Sequence, residues 1–211
     1  MPAIVPVVEG RGEIAAFPLL LRRLLAEEYR RFDLTIDHPL AANGWHNLLR
    51  AGGIERFLER AALRANAAGI IVLLDLDEAD CAADLARELA ARARGRGLHL
   101  PVAIVVAVQA YEAWFLASIE TIRGQHVKGQ RFLPAEVEPP SEPETIRSPK
   151  DWLKDRLVDD RFYKEKEDMP PLTDLLDCAQ VRRRCRSFRR LDHAIGQLVA
   201  AIDRQVVAVT P

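Results

Sequence analysis

No part of this chain is apolar for long. Its longest uninterrupted hydrophobic runs, Ile70 to Leu74 and Val102 to Val108, are strand-sized, far short of the roughly 18 residues that a membrane-spanning helix needs. No basic residue precedes the first apolar run, which meets Glu9 at once. A secretory signal would carry positive charge there, so a cytoplasmic protein with no membrane partner is expected. Cysteine is scarce: Cys81, Cys178 and Cys185 stand at wide spacing, which makes neither a disulfide framework nor a zinc-binding pair. Net charge is nearly absent, with 30 Lys+Arg against 31 Asp+Glu, so no whole-molecule field draws the chain to a polyanion. There is no internal repeat. A chain of 211 residues is nonetheless long enough to bury a proper core.

What is present is an alternation. Ala3 to Val8 is continuously apolar, as in a parallel strand covered on both faces, and Glu13 to Glu28 follows with Leu and Ala at helical spacing. A weaker strand candidate at Phe32 to Leu40 precedes an amphipathic stripe of Ile54, Phe57, Leu58, Ala61 and Ala62. Gly69 opens IIVLLDLDEAD, and an Ala-rich helix follows from Cys81 to Arg94. Val102 to Val108 repeats the pattern and runs into a helix carrying Glu112 and Trp114, whose ring is expected in the core. Four strands alternating with helices imply an α/β fold, a three-layer arrangement on a mainly parallel four-stranded sheet. After Gly124 the acid- and proline-rich segment EVEPPSEPETIRSP reads as an exposed connection. The expected division is a core over 1–123, with a linker and helical appendage over 124–211 packed on it.

Acids gather at the strand ends. Glu9 closes the first strand and Glu13 lies a helical turn beyond, around two glycines. Asp75 and Asp77 end the third strand, and Glu112 follows the fourth. Residues i and i+2 of a strand point to one face, and open α/β sheets bind ligands beyond the carboxyl ends of their strands. Single acids at such places also serve as helix caps, and that is the simpler reading of Asp75 or Glu13 alone. The joint pattern exceeds what capping requires. Carboxylates in one crevice repel, and an all-oxygen set without a nearby His or Cys pair suits Mg2+ or Mn2+ rather than zinc.

The segment VVEGRGE followed by LLDLDEAD resembles the Toprim signature, an EGxxE motif on a first strand and a DxD motif on a later one, found in topoisomerases, primases and overcoming-lysogenization-type nucleases. With GGIERFL, YEAWFLAS, SPKDWL and RSFRRL added, the chain is similar over most of its length to a Toprim-like bacterial group, domain-of-unknown-function family 4276. The resemblance implies a Toprim-like, Rossmann-like fold and Mg2+-dependent cleavage of nucleic acid, DNA first. It also implies a phage-defence role beside an AAA-type ATPase. Glu9 would assist proton transfer or hold metal, Glu13 would be an added acid, and Asp75, Asp77 and Glu112 would complete the metal site. Two features depart from the pattern: Glu78, Ala79 and Asp80 follow the DxD without the glycine often found there, and no lysine lies near the acidic motifs in sequence. A lysine for the transition state would have to come from Lys150.

Outside the acids, Arg182 to Arg190 packs six arginines into nine residues. Arg186 and Arg189 are its candidates for tracking a phosphate backbone; the competing reading is a helix face paired with acids such as Asp177 and Asp192. Arg50, beside His46, is a further candidate phosphate contact, against a purely structural role. Two other functions compete with a nuclease. One is a metal-binding regulatory or scaffold module that no longer cleaves; the other is a small-molecule phosphohydrolase using Asp75 as nucleophile, which leaves the EGxxE motif unexplained.

Overall fold

Buried β-branched runs and Leu/Ala-rich amphipathic segments have one economical solution, helices packed on both faces of a parallel sheet. The computed structural model, which describes residues 1–76, 82–158 and 161–211, adopts it. The first unit is strand β1 (Ala3–Val8) and helix α1 (Glu13–Glu27). Two short strands follow, β2 (Thr35–Ile36) and β3 (Leu40–Ala41), then helices α2 (His46–Leu49) and α3 (Gly53–Ala62). Strand β4 (Ala67–Leu76), helix α4 (Ala82–Gly95) and strand β5 (Val102–Val108) complete the central part. Helices α5 (Glu112–Leu116) and α6 (Ile119–Ile122) lead to a small antiparallel pair, β6 (His126–Val127) and β7 (Gln130–Arg131). Helices α7 (Pro149–Lys154), α8 (Glu165–Leu175), α9 (Cys178–Arg184) and α10 (Arg186–Arg204) precede the last strand, β8 (Val209–Thr210).

The sheet has six strands among the described residues, not the four expected. Its order is β2-β1-β4-β5-β8, with β3 also on β1, and every pairing is parallel. The weak second strand is split. Thr35 and Ile36 pair with Ala3 and Ile4, while Leu40 and Ala41 pair with Val7 and Val8. Between them Pro39 has no N–H to give a ladder, and the His38 N–H goes instead to Asp37 Oδ1 at 2.7 Å. The sixth strand comes from the C-terminus, where Gln205 in the left-handed region (φ 54°) ends α10. Counting β2 and β3 as one interrupted edge, the strands run 2-1-3-4-5 across the sheet. That is a doubly wound order, and its switch point lies between β1 and β4.

Alternate strand residues feed two apolar layers. Val5, Val7, Ile70, Val72, Leu74, Ile104 and Val106 face α3 and α4. Ile4, Val8, Ile71, Leu73, Ala103 and Val105 face α1 and the C-terminal helices, in one cluster with Trp114, Leu133, Leu172, Phe188 and Leu198. Residues beyond 124 therefore share a core with the sheet, as well as supplying its last strand. The YEAWFLAS and RSFRRL segments meet there: Trp114 Nε1 donates to Ser187 Oγ at 2.9 Å, and the Trp114 ring stands edge-on to Phe188 at 5.3 Å. Trp114 and Phe115 are fully buried, as expected of core aromatics. No helix among the described residues is long and apolar enough to cross a membrane.

Phe188→Ala should cost about 3–5 kcal/mol, the usual range for emptying a buried aromatic site. Because its cluster is continuous with the sheet, urea unfolding followed by fluorescence and by circular dichroism should still give one coincident transition.

Candidate functional site

The carboxyl ends of β1, β4 and β5 are joined by carboxylates that accept main-chain N–H groups. Just past β1, Glu9 Oε2 accepts from the N–H of Asp75 on the neighbouring strand at 3.0 Å. Asp75 Oδ1 in turn accepts from the N–H of Tyr111, beyond β5, at 3.1 Å. Glu13 Oε2 reaches back to the N–H of Gly10 at 3.0 Å, closing the loop between β1 and α1. On the other side Gly44, with φ 114°, donates its N–H to the Glu9 carbonyl at 3.1 Å. Glu112 opens α5 and is 1% exposed. Its Oε1 accepts from the Tyr163 hydroxyl at 2.9 Å, while its Oε2 is buried without a hydrogen-bond partner among the described residues.

The glycines of EGRGE serve close approach. A Cβ on Gly10 would stand 2.9 Å from Glu13 Oε2, and one on Gly12 would collide with Met169 Sδ and press on Glu165 Cβ. Gly12 thus lets the start of α8 dock against the start of α1. The segment before α8 is held by an ion pair of Arg161 with Asp168, at 2.9 Å and with both side chains less than a tenth exposed. Asp168 Oδ2 also accepts from the Lys164 N–H at 2.8 Å.

These contacts frame a cleft of ≈ 410 Å3 lined by Glu9, Gly10, Arg11, Glu13, Asn43, Gly44, Asp75, Lys150 and Glu165. Lys150, from the second position of α7, pairs with Glu165 Oε1 at 2.9 Å. The lysine that no local motif supplied is therefore brought to the acids by tertiary packing. Charge in the cleft is strongly coupled. Burial, then Glu13, Glu112 and Glu9, push the Asp75 carboxyl well above its ordinary range, with Lys150 pulling the other way. Burial also raises Glu13. It pushes Glu112 up to about 7 against the pull of Lys150 and the Tyr163 hydrogen bond. Burial disfavours the Lys150 ammonium, but Glu112, Glu165 and Asp75 together outweigh it and hold the lysine more basic than usual.

The remaining candidates stand elsewhere or outside view. Asp77 lies outside the described residues. Arg50 is exposed and does not line the cleft; its carbonyl accepts from Arg92 Nη2 at 2.8 Å. In the arginine cluster, Arg182 pairs with Glu28 and Asp192, and Arg184 with Glu120. Arg189 Nη1 donates to the carbonyls of Arg182 and Arg183, closing the end of α9. Arg186 is exposed, and its N–H donates to Glu144 Oε2 at 2.7 Å. Neither Arg186 nor Arg189 lines the cleft. Asp177 caps α9 rather than pairing with an arginine, accepting from the Gln180 N–H at 2.9 Å. Glu165, Arg11 and Asn43 line the cleft without having been singled out. Glu165 sits in a charged stretch with no periodic signal, and only its packing against Gly12 marks it.

No three or more His, Cys, Asp or Glu side chains among the described residues are arranged so that they could hold a metal ion. The donor chemistry still fits a hard divalent cation. Mg2+ keeps most of its waters and is commonly held through only one or two carboxylates. Here Asp75 lines the cleft, and Glu112, which is not among the lining residues, leaves one buried oxygen without a hydrogen bond among the described residues.

Fold and site define a doubly wound, mainly parallel α/β protein with an acidic cleft at its topological switch point. A family model matches residues 8–195, and the chain belongs to that family, described as Domain of unknown function (DUF4276). Neither the curated proteins nor the solved structures contain a match.

Two outcomes are expected of this site. Gly12→Ala should destabilise by about 1–3 kcal/mol through overpacking against Met169, whereas Gly95→Ala, helical and with open space around its Cβ position, should leave stability unchanged or raise it by up to about 1 kcal/mol; urea titration compares them. Between about 4.5 and about 7 the folded protein holds a proton on Glu112 that the unfolded chain has released. Stability in chelator should therefore fall as pH rises through that window, and Glu112→Gln should flatten the fall.

Proposed function

We propose that this protein is a Toprim-like nuclease that hydrolyses phosphodiesters of nucleic acid, DNA first, with Mg2+ or Mn2+. The reading is carried by one observation: Glu9, Glu13 and Asp75, from separate segments of the chain, line a single cleft together with Lys150. A phosphodiester repels anionic nucleophiles, so its cleavage needs positive charge on the phosphoryl and leaving oxygens. When bound, one or two divalent ions supply that charge and acidify a water. Asp75, with Asp77, Glu9 and Glu112, would hold the metal. Glu9 and Glu13 are the candidates for accepting the proton of the attacking water, at their carboxylate oxygens. Lys150 would meet a phosphoryl oxygen once released from Glu165, and Arg11 offers a second cation at the cleft.

The Toprim resemblance extends this to phage defence beside an AAA-type ATPase, with Arg50, Arg186 and Arg189 as outlying contacts to nucleic acid. A second reading, a regulatory or scaffold module that binds metal without cleaving, is favoured by the Lys150–Glu165 pair, which engages a cation that a phosphoryl oxygen would need.

The deciding experiment incubates the protein with plasmid and single-stranded DNA in Mg2+ or Mn2+, with and without a co-encoded ATPase. Cleavage should fall by about 10²-fold or more in Asp75→Ala/Asp77→Ala, on the scale of losing a main charge-stabilising element. Mn2+ should also raise the melting temperature of the wild type and not of the double variant. A metal-dependent melting shift without any cleavage product would select the regulatory module.

A further inference from the structure

Two aromatic side chains stand exposed within three residues, along the chain, of residues that line the acidic cleft, and core packing explains neither. Trp45 is 45% exposed and directly follows Asn43 and Gly44, which line the cleft. Its backbone is tied to the site on one side by the Gly44 N–H on the Glu9 carbonyl, and on the other its carbonyl accepts from the Leu48 N–H at 2.9 Å. The His46 ring sets its edge against the indole, centroids 6.1 Å apart. Phe162 is 77% exposed, three residues before Glu165, which lines the cleft. It lies between two anchored neighbours, Arg161 in the buried pair with Asp168 and Tyr163 bonded to Glu112. The segment is thus held on both sides of Phe162 while its ring is left to solvent. Lys150 and Arg11 line the cleft itself.

Exposed aromatic faces beside backbone-reaching cations are the composition of surfaces that bind single strands, where successive bases stack on rings and phosphates meet positive charge. A base inside a duplex is already stacked and paired, and cannot lie on such a ring. We propose that the cleft takes unpaired nucleic acid, with bases stacked on Trp45 and Phe162 and the intervening phosphates directed to Lys150 and Arg11. This deepens the nuclease reading and rests on it for the identity of the ligand as nucleic acid.

The test measures binding rather than cleavage. Fluorescence anisotropy in Ca2+ compares labelled oligothymidylate and oligouridylate, a duplex of the same length, and an abasic strand with the same phosphates. Wild type should prefer both single strands to the duplex. Trp45→Ala and Phe162→Ala should each weaken oligothymidylate binding about fivefold or more, and Trp45→Phe, which keeps a ring, should retain most of it. Phe32→Ala, which removes an aromatic 70% exposed ahead of β2 at the opposite end of the strands, should change nothing. The abasic strand should bind more weakly to wild type and be indifferent to both ring substitutions.

Duplex bound as tightly as single strand, or unchanged affinity in both Trp45→Ala and Phe162→Ala, overturns the inference, even if metal-dependent cleavage of duplex shows the nuclease reading to be right. Ring-dependent binding of single strands without cleavage in Mg2+ or Mn2+ sustains the inference and removes the nuclease. No binding to any strand overturns it.

Discussion

Everything at the cleft depends on carboxylates held together against their own repulsion. Two unit charges about 4 Å apart repel by about 4 kcal/mol at an effective dielectric of about 20, more than a typical charge-assisted hydrogen bond returns. The protein offsets this in three ways. Main-chain N–H groups of Gly10, Asp75 and Tyr111 each donate to one of the acids. Burial favours the neutral form of Asp75, Glu13 and Glu112. The Lys150 ammonium supplies a compensating positive charge. In the proposed function, a doubly charged cation would add a fourth compensation to these three.

The C-terminal layer is part of that balance. Lys150, at the second position of α7, and Glu165, at the start of α8, both reach the cleft: α8 docks on α1 through Gly12 and Met169, and Lys150 pairs with Glu165. Arg161 and Asp168 fix the segment that carries Tyr163 to Glu112. Breaking a buried pair of this kind by removing one partner leaves an uncompensated charge, so stability and site geometry are linked through the same residues. The arginine cluster belongs to this layer too. Arg182, Arg184 and Arg189 are engaged with acids or carbonyls of neighbouring segments, so much of its charge is used in holding α9 and α10 in place.

Much of the fold was legible from periodicity. The unbroken apolar runs at Ala3 to Val8 and Val102 to Val108 are strands at those boundaries, because a strand buried on both faces has no polar positions to hide its length. Helix α1 followed from apolar spacing in the same way. The edges of the sheet were not legible. β2, β3 and β8 are pairs of residues whose strand character comes from the neighbour they bond, and two residues carry no period. α3 stops at Ala62, the last residue of its apolar stripe, and the chain joins the ladder with β1 at Ala67.

The acids at the strand ends were determined by the sequence itself: Glu9, Asp75 and Glu112 follow apolar runs, and a parallel sheet must put the carboxyl ends of its strands on one edge. That Lys150 and Glu165 join them, while Arg50, Arg186 and Arg189 line other surfaces, was decided only by tertiary structure. The reason is range. Strand ends are set by local hydrophobic pattern within a few residues, whereas the approach of α7 and α8 depends on shape complementarity at Gly12 and on a buried ion pair, neither of which leaves a periodic trace along the chain.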